Sequence, residues 1–169
     1  MALGIPARDL VADADSLTFC LSKGLSAPVG SVIVGSKKFI DTCRRMRKML
    51  GGTMRQAGVL AAAGLVALKT MVDRLAEDHA NAKRLAEKLS KIDGLSVNTS
   101  KVQTNIVRSK TTGLGVAAAK VSAMLGEHNV HVMAQQADTL RWVLHRHVTP
   151  TDVDEAVAAM AKVAEALRG

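Results

Sequence analysis

One lysine directly follows a short apolar segment and lies in a run of small residues typical of a turn. Residues 19–31 read FCLSKGLSAPVGS, with Lys23 at the start of the turn. A lysine amine attacks a carbonyl only without its proton, so it needs a partly desolvated pocket or a neighbouring cation. The glycine after it leaves room for a flat ring to approach the backbone. The stretch therefore has two interpretations, a carbonyl-attacking amine or an exposed loop lysine.

A second stretch combines basic side chains with a glycine-rich break. Residues 45–58 read RMRKMLGGTMRQAG, so Lys48 lies before the break and Arg55 after it. A basic segment of this kind is compatible with a solvated helix face or with a binding site for an anion.

Together the two stretches resemble the threonine aldolases, which belong to the aromatic amino acid beta-eliminating lyase group of pyridoxal-phosphate (PLP) enzymes. The family pattern is S-K-G-L-G-x-P-V-G-S followed by R-K-x-x-G-G-G-M-R-Q-x-G-x-L-A-A-A-G. This chain departs from it at Ser26 and Thr53, which replace two glycines. The resemblance continues through the AAAG run at residues 61–64 and, more weakly, to the C-terminus.

The resemblance implies a role for several residues of these stretches. Lys23 matches the catalytic lysine that holds PLP as a Schiff base, and Ser22 and Arg55 match positions near the cofactor. The implied reaction is cleavage of L-threonine or L-allo-threonine to glycine and acetaldehyde. Outside the family, Ser22 is equally compatible with a hydrogen bond that only holds the turn.

The resemblance also implies residues that bind the amino acid substrate. Arg141 matches the arginine that binds the α-carboxylate, a task that suits a planar, bidentate guanidinium. The family motif is R-x-V-T-H, and Leu144 replaces its threonine here. His145 matches the histidine of this motif, and Lys48 belongs to the second stretch. The residues alone also allow a surface arginine, a structural histidine and a solvated lysine.

The other candidate ligands suggest no metal site. The remaining histidines (His79, His128, His131 and His147) show no metal-ligand spacing, and metal binding is not predicted. Cys20 and Cys43 fit neither a disulfide framework nor a zinc pattern. They predict buried thiols in a reducing compartment, so we expect a cytoplasmic protein.

The elements that must position these residues alternate between strands and helices. Strands are predicted at Ser16–Leu21 and, as a buried strand, at Gly30–Gly35; Ser36 should cap a helix to Met49 that Gly51-Gly52 stops. One long helix is expected from about Met54 to Ile92, with Ala61–Ala67 buried against other helices or a second subunit. Further on, four strands are expected, at Leu95–Val97, Thr104–Arg108, Val130–Met133 and Leu140–His145. We also expect a helix from about Leu114 to His128. Thr149 should cap a final helix from Pro150 to Leu167.

This order predicts an α/β fold that resembles part of the PLP-dependent transferase fold of aspartate-aminotransferase type. We expect residues 1–52 to be the end of the large PLP-binding domain, residues 53–92 a connecting helix, and residues 93–169 a small C-terminal α/β domain. The acid for the pyridine nitrogen, the phosphate cup and the stacking residue of the family would precede Met1. The chain is therefore interpreted as the C-terminal half of a threonine-aldolase-like protein, with little or no turnover alone.

Composition limits the alternatives. The chain has 169 residues, 48% hydrophobic, which suffices for one ordinary domain core. Its net charge of +8 allows a polyanion-binding module, but aromatic residues make up only 2%, so stacking platforms for bases are almost absent. No membrane helix or signal sequence is predicted. We expect a homo-oligomer (dimer or tetramer) or a partner that supplies the missing N-terminal half. The lyase interpretation has two alternatives: a catalytically inactive, oligomerising fragment that docks on a full-length aldolase, and, less favoured, a polyanion-binding module.

Overall fold

The computed structural model describes residues 1–169 and divides into two units. Unit 1 comprises Leu3–Leu75 and unit 2 comprises Ala76–Gly169. The domain roles expected for residues 1–52, 53–92 and 93–169 stay predictions. None of the helices is both long and apolar enough to cross a membrane.

Unit 1 consists of a two-stranded hairpin and three helices. Its elements are α1 (Ala7–Leu10), β1 (Ser16–Cys20), β2 (Ser31–Gly35), α2 (Lys37–Met49) and α3 (Gly58–Thr70). The two strands are antiparallel, with Cys20 paired to Ser31 next to the loop that joins them. Leu21, Ala27 and Ala67 form a small buried cluster, which Phe19, Leu25 and Val32 partly cover.

The capping residues of α2 confirm the predicted helix. The Ser36 side chain accepts a hydrogen bond from the Phe39 amide at 3.3 Å, which satisfies one of the free amides of the first turn. At the other end Gly51 has a φ of 77°, the left-handed conformation that ends helices and that glycine adopts without steric cost.

The strand predicted at Gly30–Gly35 forms, but it is not buried as predicted. β2 forms at Ser31–Gly35, but the side chains of Ile33 and Val34 are 51% and 45% exposed. The reason is that the hairpin has only two strands and that the small cluster around Leu21 reaches only part of it.

The prediction of one long helix from Met54 to Ile92 is also wrong. The structure has two helices, α3 ending at Thr70 and α4 at Leu75–Leu89. Thr70 and the intervening residues 71–74, MVDR, together contain two β-branched residues and an aspartate, which are weak helix formers. The Thr70 hydroxyl also donates to the Val66 carbonyl at 2.8 Å, a side-chain bond typical of the last turn of a helix.

The expected burial of Ala61–Ala67 is only partly seen within the chain. Gly64 and Ala67 are buried, whereas Leu65 and Val66 are 56% and 60% exposed. Burial of this segment by a second subunit stays a prediction.

Unit 2 packs three helices against one face of an antiparallel sheet. Its elements are α4 (Leu75–Leu89), β3 (Ser96–Val97), β4 (Ile106–Lys110), α5 (Ala118–Gly126), β5 (Met133–Gln136), β6 (Thr139–Val143) and α6 (Pro150–Ala166), with the strands in the order β3-β4-β6-β5. The fully buried core includes Leu85, Leu125, Val107, Leu140 and Met160. Most of the hydrophobic core of the chain therefore lies in unit 2.

The strands predicted in unit 2 form with shifted ends. β5 begins at Met133, three residues later than expected, and β6 ends at Val143 rather than His145. The predicted helix at Leu114–His128 is shorter, at Ala118–Gly126, and a 3-10 turn at Thr112–Leu114 precedes it. Asn129, with a φ of 59°, prolongs the connection to β5. Turn geometry of this kind is not visible in hydrophobic periodicity.

Thr149 caps α6, as the sequence predicts, and does so through a capping box with Asp152. The Thr149 hydroxyl accepts from the Asp152 amide at 3.3 Å, and the Asp152 carboxylate accepts from the Thr149 amide at 2.7 Å. The backbone amide and hydroxyl of Thr149 lower the pKa of the Asp152 carboxyl. Pro150 occupies the first helical position, where it lacks only an amide that would have no partner.

We expect Thr149→Ala to destabilise unit 2 by about 1 kcal/mol, because it removes the side-chain acceptor of the cap. Urea unfolding followed by the fluorescence of Trp142, which is buried in unit 2, measures this change. Thr151→Ala is the matched control, since Thr151 is exposed and makes no capping bond. Equal losses in the two variants would contradict the role of the cap.

Candidate functional site

The turn that carries Lys23 is closed by backbone hydrogen bonds. The Leu21 amide donates to the Gly30 carbonyl and the Ala27 amide donates to the Leu21 carbonyl, both at 2.9 Å. A third bond at 2.8 Å runs from the Ser26 amide to the Lys23 carbonyl. The backbone of Lys23 is therefore held in a closed loop while its side chain remains exposed.

Gly24 and Ser26, which follow Lys23, have little steric freedom. A Cβ atom on Gly24 would lie 2.8 Å from Leu75 Cδ2, closer than side chains normally approach. Ser26 has a φ of 58°, in the left-handed region that glycine adopts freely and other residues rarely do. The turn thus requires at Ser26 a conformation that suits the glycine of the family pattern.

A thiol lies next to Lys23. Cys20 is half-buried, and its Sγ accepts a hydrogen bond from Ser31 Oγ at 3.7 Å. The Ser31 hydroxyl, and after it the Lys23 ammonium through hydrogen bonding and charge, lower the pKa of the Cys20 thiol below its ordinary value. The expectation that Cys20 is a buried thiol is therefore wrong. Its pairing with Ser31 follows from the register of the hairpin, which local sequence patterns do not reveal.

The second motif forms the connection between α2 and α3. The Gly52 amide donates to the Arg47 carbonyl at 2.8 Å, and the positive φ falls on Gly51 and Gln56 rather than on Thr53. Threonine in place of a third glycine is therefore compatible with this backbone. Lys48 and Arg55 are exposed on either side of the break, and no hydrogen bond or ion pair joins them to Lys23.

The basic residues of α2 are on a solvated helix. No residue of α2 is buried, and Lys37 and Arg44 form ion pairs with the single aspartate Asp41. Such exposed pairs contribute little to stability. Nothing in the geometry of α2 favours a nucleic-acid interface over a solvated surface.

The substrate-binding candidates of unit 2 lie on and just after β6. Arg141 is half-buried on β6, and its strand neighbours Leu140 and Trp142 are buried in the core. His145 is exposed; its Nδ1 accepts weakly from the His147 amide at 3.4 Å, and its ring lies edge-on to the His147 ring at 5.8 Å. His145 also lines a cleft of about 370 Å³ whose walls combine aliphatic side chains with polar ones such as His131 and Glu155.

The structure groups the predicted site residues by unit. Lys23 and Ser22 share the closed turn of unit 1, Lys48 and Arg55 flank the break after α2, and Arg141 and His145 belong to unit 2. No group of three or more His, Cys, Asp or Glu side chains has the arrangement of a metal site. Sequence reasoning did not single out Cys20 beside Lys23, nor Arg108, which lies opposite Arg141.

Comparisons with known proteins agree with these features. The family model described as "Beta-eliminating lyase" matches residues 1–112. The chain is 46% identical to Low-specificity L-threonine aldolase 1 of Arabidopsis thaliana over 90% of its length and 43% of that protein. It is 38% identical to Low specificity L-threonine aldolase of Escherichia coli (strain K12), over 94% of its length and 45% of that protein. The chain thus spans less than half the length of these relatives.

Solved structures show the same fold at low sequence identity. An L-allo-threonine aldolase-like protein of Listeria monocytogenes EGD-E superposes with a TM-score of 0.79 and 15% identity, over 96% of this chain and 48% of that one. Serine palmitoyltransferase of Sphingomonas wittichii superposes with a TM-score of 0.70 and 19% identity, over 95% of this chain and 42% of that one. These likenesses confirm the predicted α/β fold class.

We expect Cys20 to react with iodoacetamide as a thiolate at lower pH than an ordinary cysteine, because its pKa is lowered. In a Cys43→Ser background, the alkylation rate should fall as the pH falls through this pKa. Ser31→Ala and Lys23→Met should each move the midpoint to higher pH, Ser31→Ala more, since its hydroxyl is the larger cause. Lys38→Met on α2 is the control; unchanged midpoints in all variants would contradict the contact.

Proposed function

Because the chain belongs to the beta-eliminating lyase family, we propose that it provides part of a PLP-dependent lyase site. The proposed reaction is cleavage of β-hydroxy amino acids such as L-threonine or L-allo-threonine to glycine and an aldehyde. Its fold is that of the PLP-dependent transferases. Relatives named as low-specificity L-threonine aldolases, from a plant and a bacterium, support this substrate class.

The observation that carries the proposal is the closed turn around Lys23. Three backbone hydrogen bonds hold the turn, and the lysine side chain extends from it without a carboxylate partner. An amine that is held on ordered backbone and has no carboxylate partner is suited to attack an aldehyde once it loses its proton. Lys37 of α2 lacks this property, because it is paired with Asp41.

The residues of the turn fit one end of the cofactor. Lys23 would hold PLP at its aldehyde carbon, and the hydroxyl of Ser22 would hold its phosphate. Arg55, which lies outside the turn, would reach the cofactor of a neighbouring subunit. The turn from Leu21 to Gly30 contains no acid for the pyridine nitrogen and no aromatic ring to stack on it. Those groups must come from elsewhere, so the turn alone holds the aldehyde end.

The remaining candidate residues would bind the substrate. When bound, PLP supplies an electron sink for the bond that breaks at the α-carbon. Arg141 would bind the α-carboxylate as a bidentate fork, and Lys48 and His145 would complete the substrate site. The amine of Lys23, once released, would return a proton to the α-carbon of the glycine product.

We expect PLP and borohydride to leave one stoichiometric pyridoxyl group on Lys23 of the 169-residue chain, located by peptide mapping. Lys23→Ala should abolish this adduct, and Lys69→Met, an exposed lysine of α3, should leave it unchanged. For the chain alone we expect little or no release of acetaldehyde from threonine, because the turn lacks groups for the pyridine ring. Adducts scattered over many lysines would contradict the proposed site.

A second candidate function is association, which the surface of unit 1 favours. Leu50, Val59 and Met49 are 83%, 71% and 72% exposed, and Leu65 and Val66 of α3 are exposed as well. Exposed apolar side chains in such number, three of them on α3, are typical of an interaction surface. We propose that a second copy of the chain covers α3, as expected for a homo-oligomer; a complementary N-terminal half is the alternative occupant.

We expect the chain to self-associate at micromolar concentration in sedimentation velocity, and Leu65→Asp with Val66→Asp to shift it to monomer. The reason is that two charges placed on the exposed face of α3 would have to be desolvated on association. Ala161→Asp, on the exposed side of α6 in unit 2, is the matched control. A monomer in every variant would exclude the second copy and favour the complementary half.

A further inference from the structure

Two arginines lie directly opposite each other on neighbouring strands of unit 2. Arg108 of β4 is paired in register with Arg141 of β6. Residues paired in this way have Cα atoms about 4.5–5.5 Å apart and direct their side chains to the same face. The adjacent pair, Val107 and Trp142, is buried in the core on the other face. Both guanidinium groups therefore stand on the face of the sheet that is opposite to the core.

No carboxylate of the chain neutralises this pair. Arg108 Nε donates to Gln135 Oε1 at 3.1 Å, a neutral acceptor that orients the guanidinium and leaves its terminal amino groups free. Arg141 makes no hydrogen bond or ion pair within the chain. Lys110, on the same face and two residues further along β4, shows the contrast, because its Nζ lies 3.4 Å from an oxygen of Asp138.

The pair costs stability as it stands. Like charges directly opposite each other in a sheet repel, and nothing in unit 2 offsets this repulsion. Local rules of this kind are broken mainly at functional sites. A ligand that offsets the repulsion between two arginines would be an anion.

We propose that Arg108 and Arg141 form one binding site for a dicarboxylate, in which each guanidinium holds one carboxylate. A guanidinium presents a planar fork that matches the two oxygens of a carboxylate, so two forks side by side suit two carboxylates. The bond from Gln135 fixes the plane of the Arg108 fork. Two negative charges on the ligand also remove the repulsion between the two positive charges.

The site implies a substrate class, and this step depends on the lyase function proposed above. If Arg141 binds the α-carboxylate, Arg108 is placed to bind a second carboxylate on the β-carbon, as in 3-hydroxyaspartate. In that substrate the Cα–Cβ bond breaks. The β-hydroxyl gives up its proton, and its oxygen becomes the aldehyde oxygen of glyoxylate. The electron pair stays on Cα, which takes up a proton to give glycine. Arg108 then determines specificity, because it contacts only substrates that have a second carboxylate.

The test is a titration of the chain with succinate at constant ionic strength, followed by the NMR signals of the arginine Nε–H groups. Succinate should shift the signals of Arg108 and Arg141 in a saturable manner, whereas succinamate, of the same shape with one charge, should bind more weakly. Arg108→Leu should weaken succinate binding about tenfold, since it removes a charge-assisted bidentate pair. Arg108→Lys should fall between, because it keeps the charge and loses the fork. Lys110→Met is the matched control and should bind succinate normally.

Three results would overturn the assignment: equal binding of succinate and succinamate, equal binding of sulfate, or succinate binding that Arg108→Leu leaves unchanged. Arg108 is exposed, so Arg108→Leu should fold, which circular dichroism checks. The pyridoxyl adduct on Lys23 is measured separately and does not involve this pair. If the adduct does not form but succinate still binds, the lyase proposal and its substrate are wrong and the dicarboxylate site is retained. If the adduct forms but succinate does not bind, the dicarboxylate site is wrong and the lyase proposal is retained.

Discussion

The turn that carries Lys23 depends on the backbone of Leu21. Its amide donates to Gly30 and its carbonyl accepts from Ala27, both at 2.9 Å, so one residue closes the loop from both sides. Its buried side chain lies against α3, where a Cβ on Gly64 would come within 3.0 Å of Leu21 Cδ1. Because Lys23 follows two residues later, its backbone is ordered by the same contacts.

The distribution of charge separates structural from functional candidates. Asp154 accepts from Arg84 at 2.5 Å and from Lys88 at 2.6 Å, and these two cations lower the pKa of its carboxyl far below the ordinary value. Pairs of this kind join α4 to α6 within unit 2. Lys23, Arg108 and Arg141 have no such partner, although the chain contains 15 acidic residues. Cations without an acidic partner are available to anionic ligands, and of these Lys23, Arg108 and Arg141 are the ones that a turn or a strand holds in place.

Local signals in the sequence were sufficient for much of the fold. Ser36, Gly51 and Thr149 begin or end helices through contacts within a few residues, and these predictions are confirmed. The break between α3 and α4 was missed because alanine-rich periodicity on both sides concealed the weak helix formers between them. Lys23 and Arg141 were named from the resemblance to a family. Arg108 and Cys20 were missed because their partners, Arg141 and Ser31, come from strand register, which local patterns do not show.

The β1–β2 hairpin carries an apolar pattern that unit 1 does not use. Val32 is part of the cluster around Leu21, whereas Ile33, which points to the other face, is 51% exposed. Strands that are apolar on both faces are typical of sheets covered on both sides. The curated relatives are more than twice as long, since the chain covers 43% and 45% of two of them. The same apolar excess occurs on α3. The two surfaces therefore have the composition of a protein interior, which supports cover by a further polypeptide, whether a second copy or a complementary half.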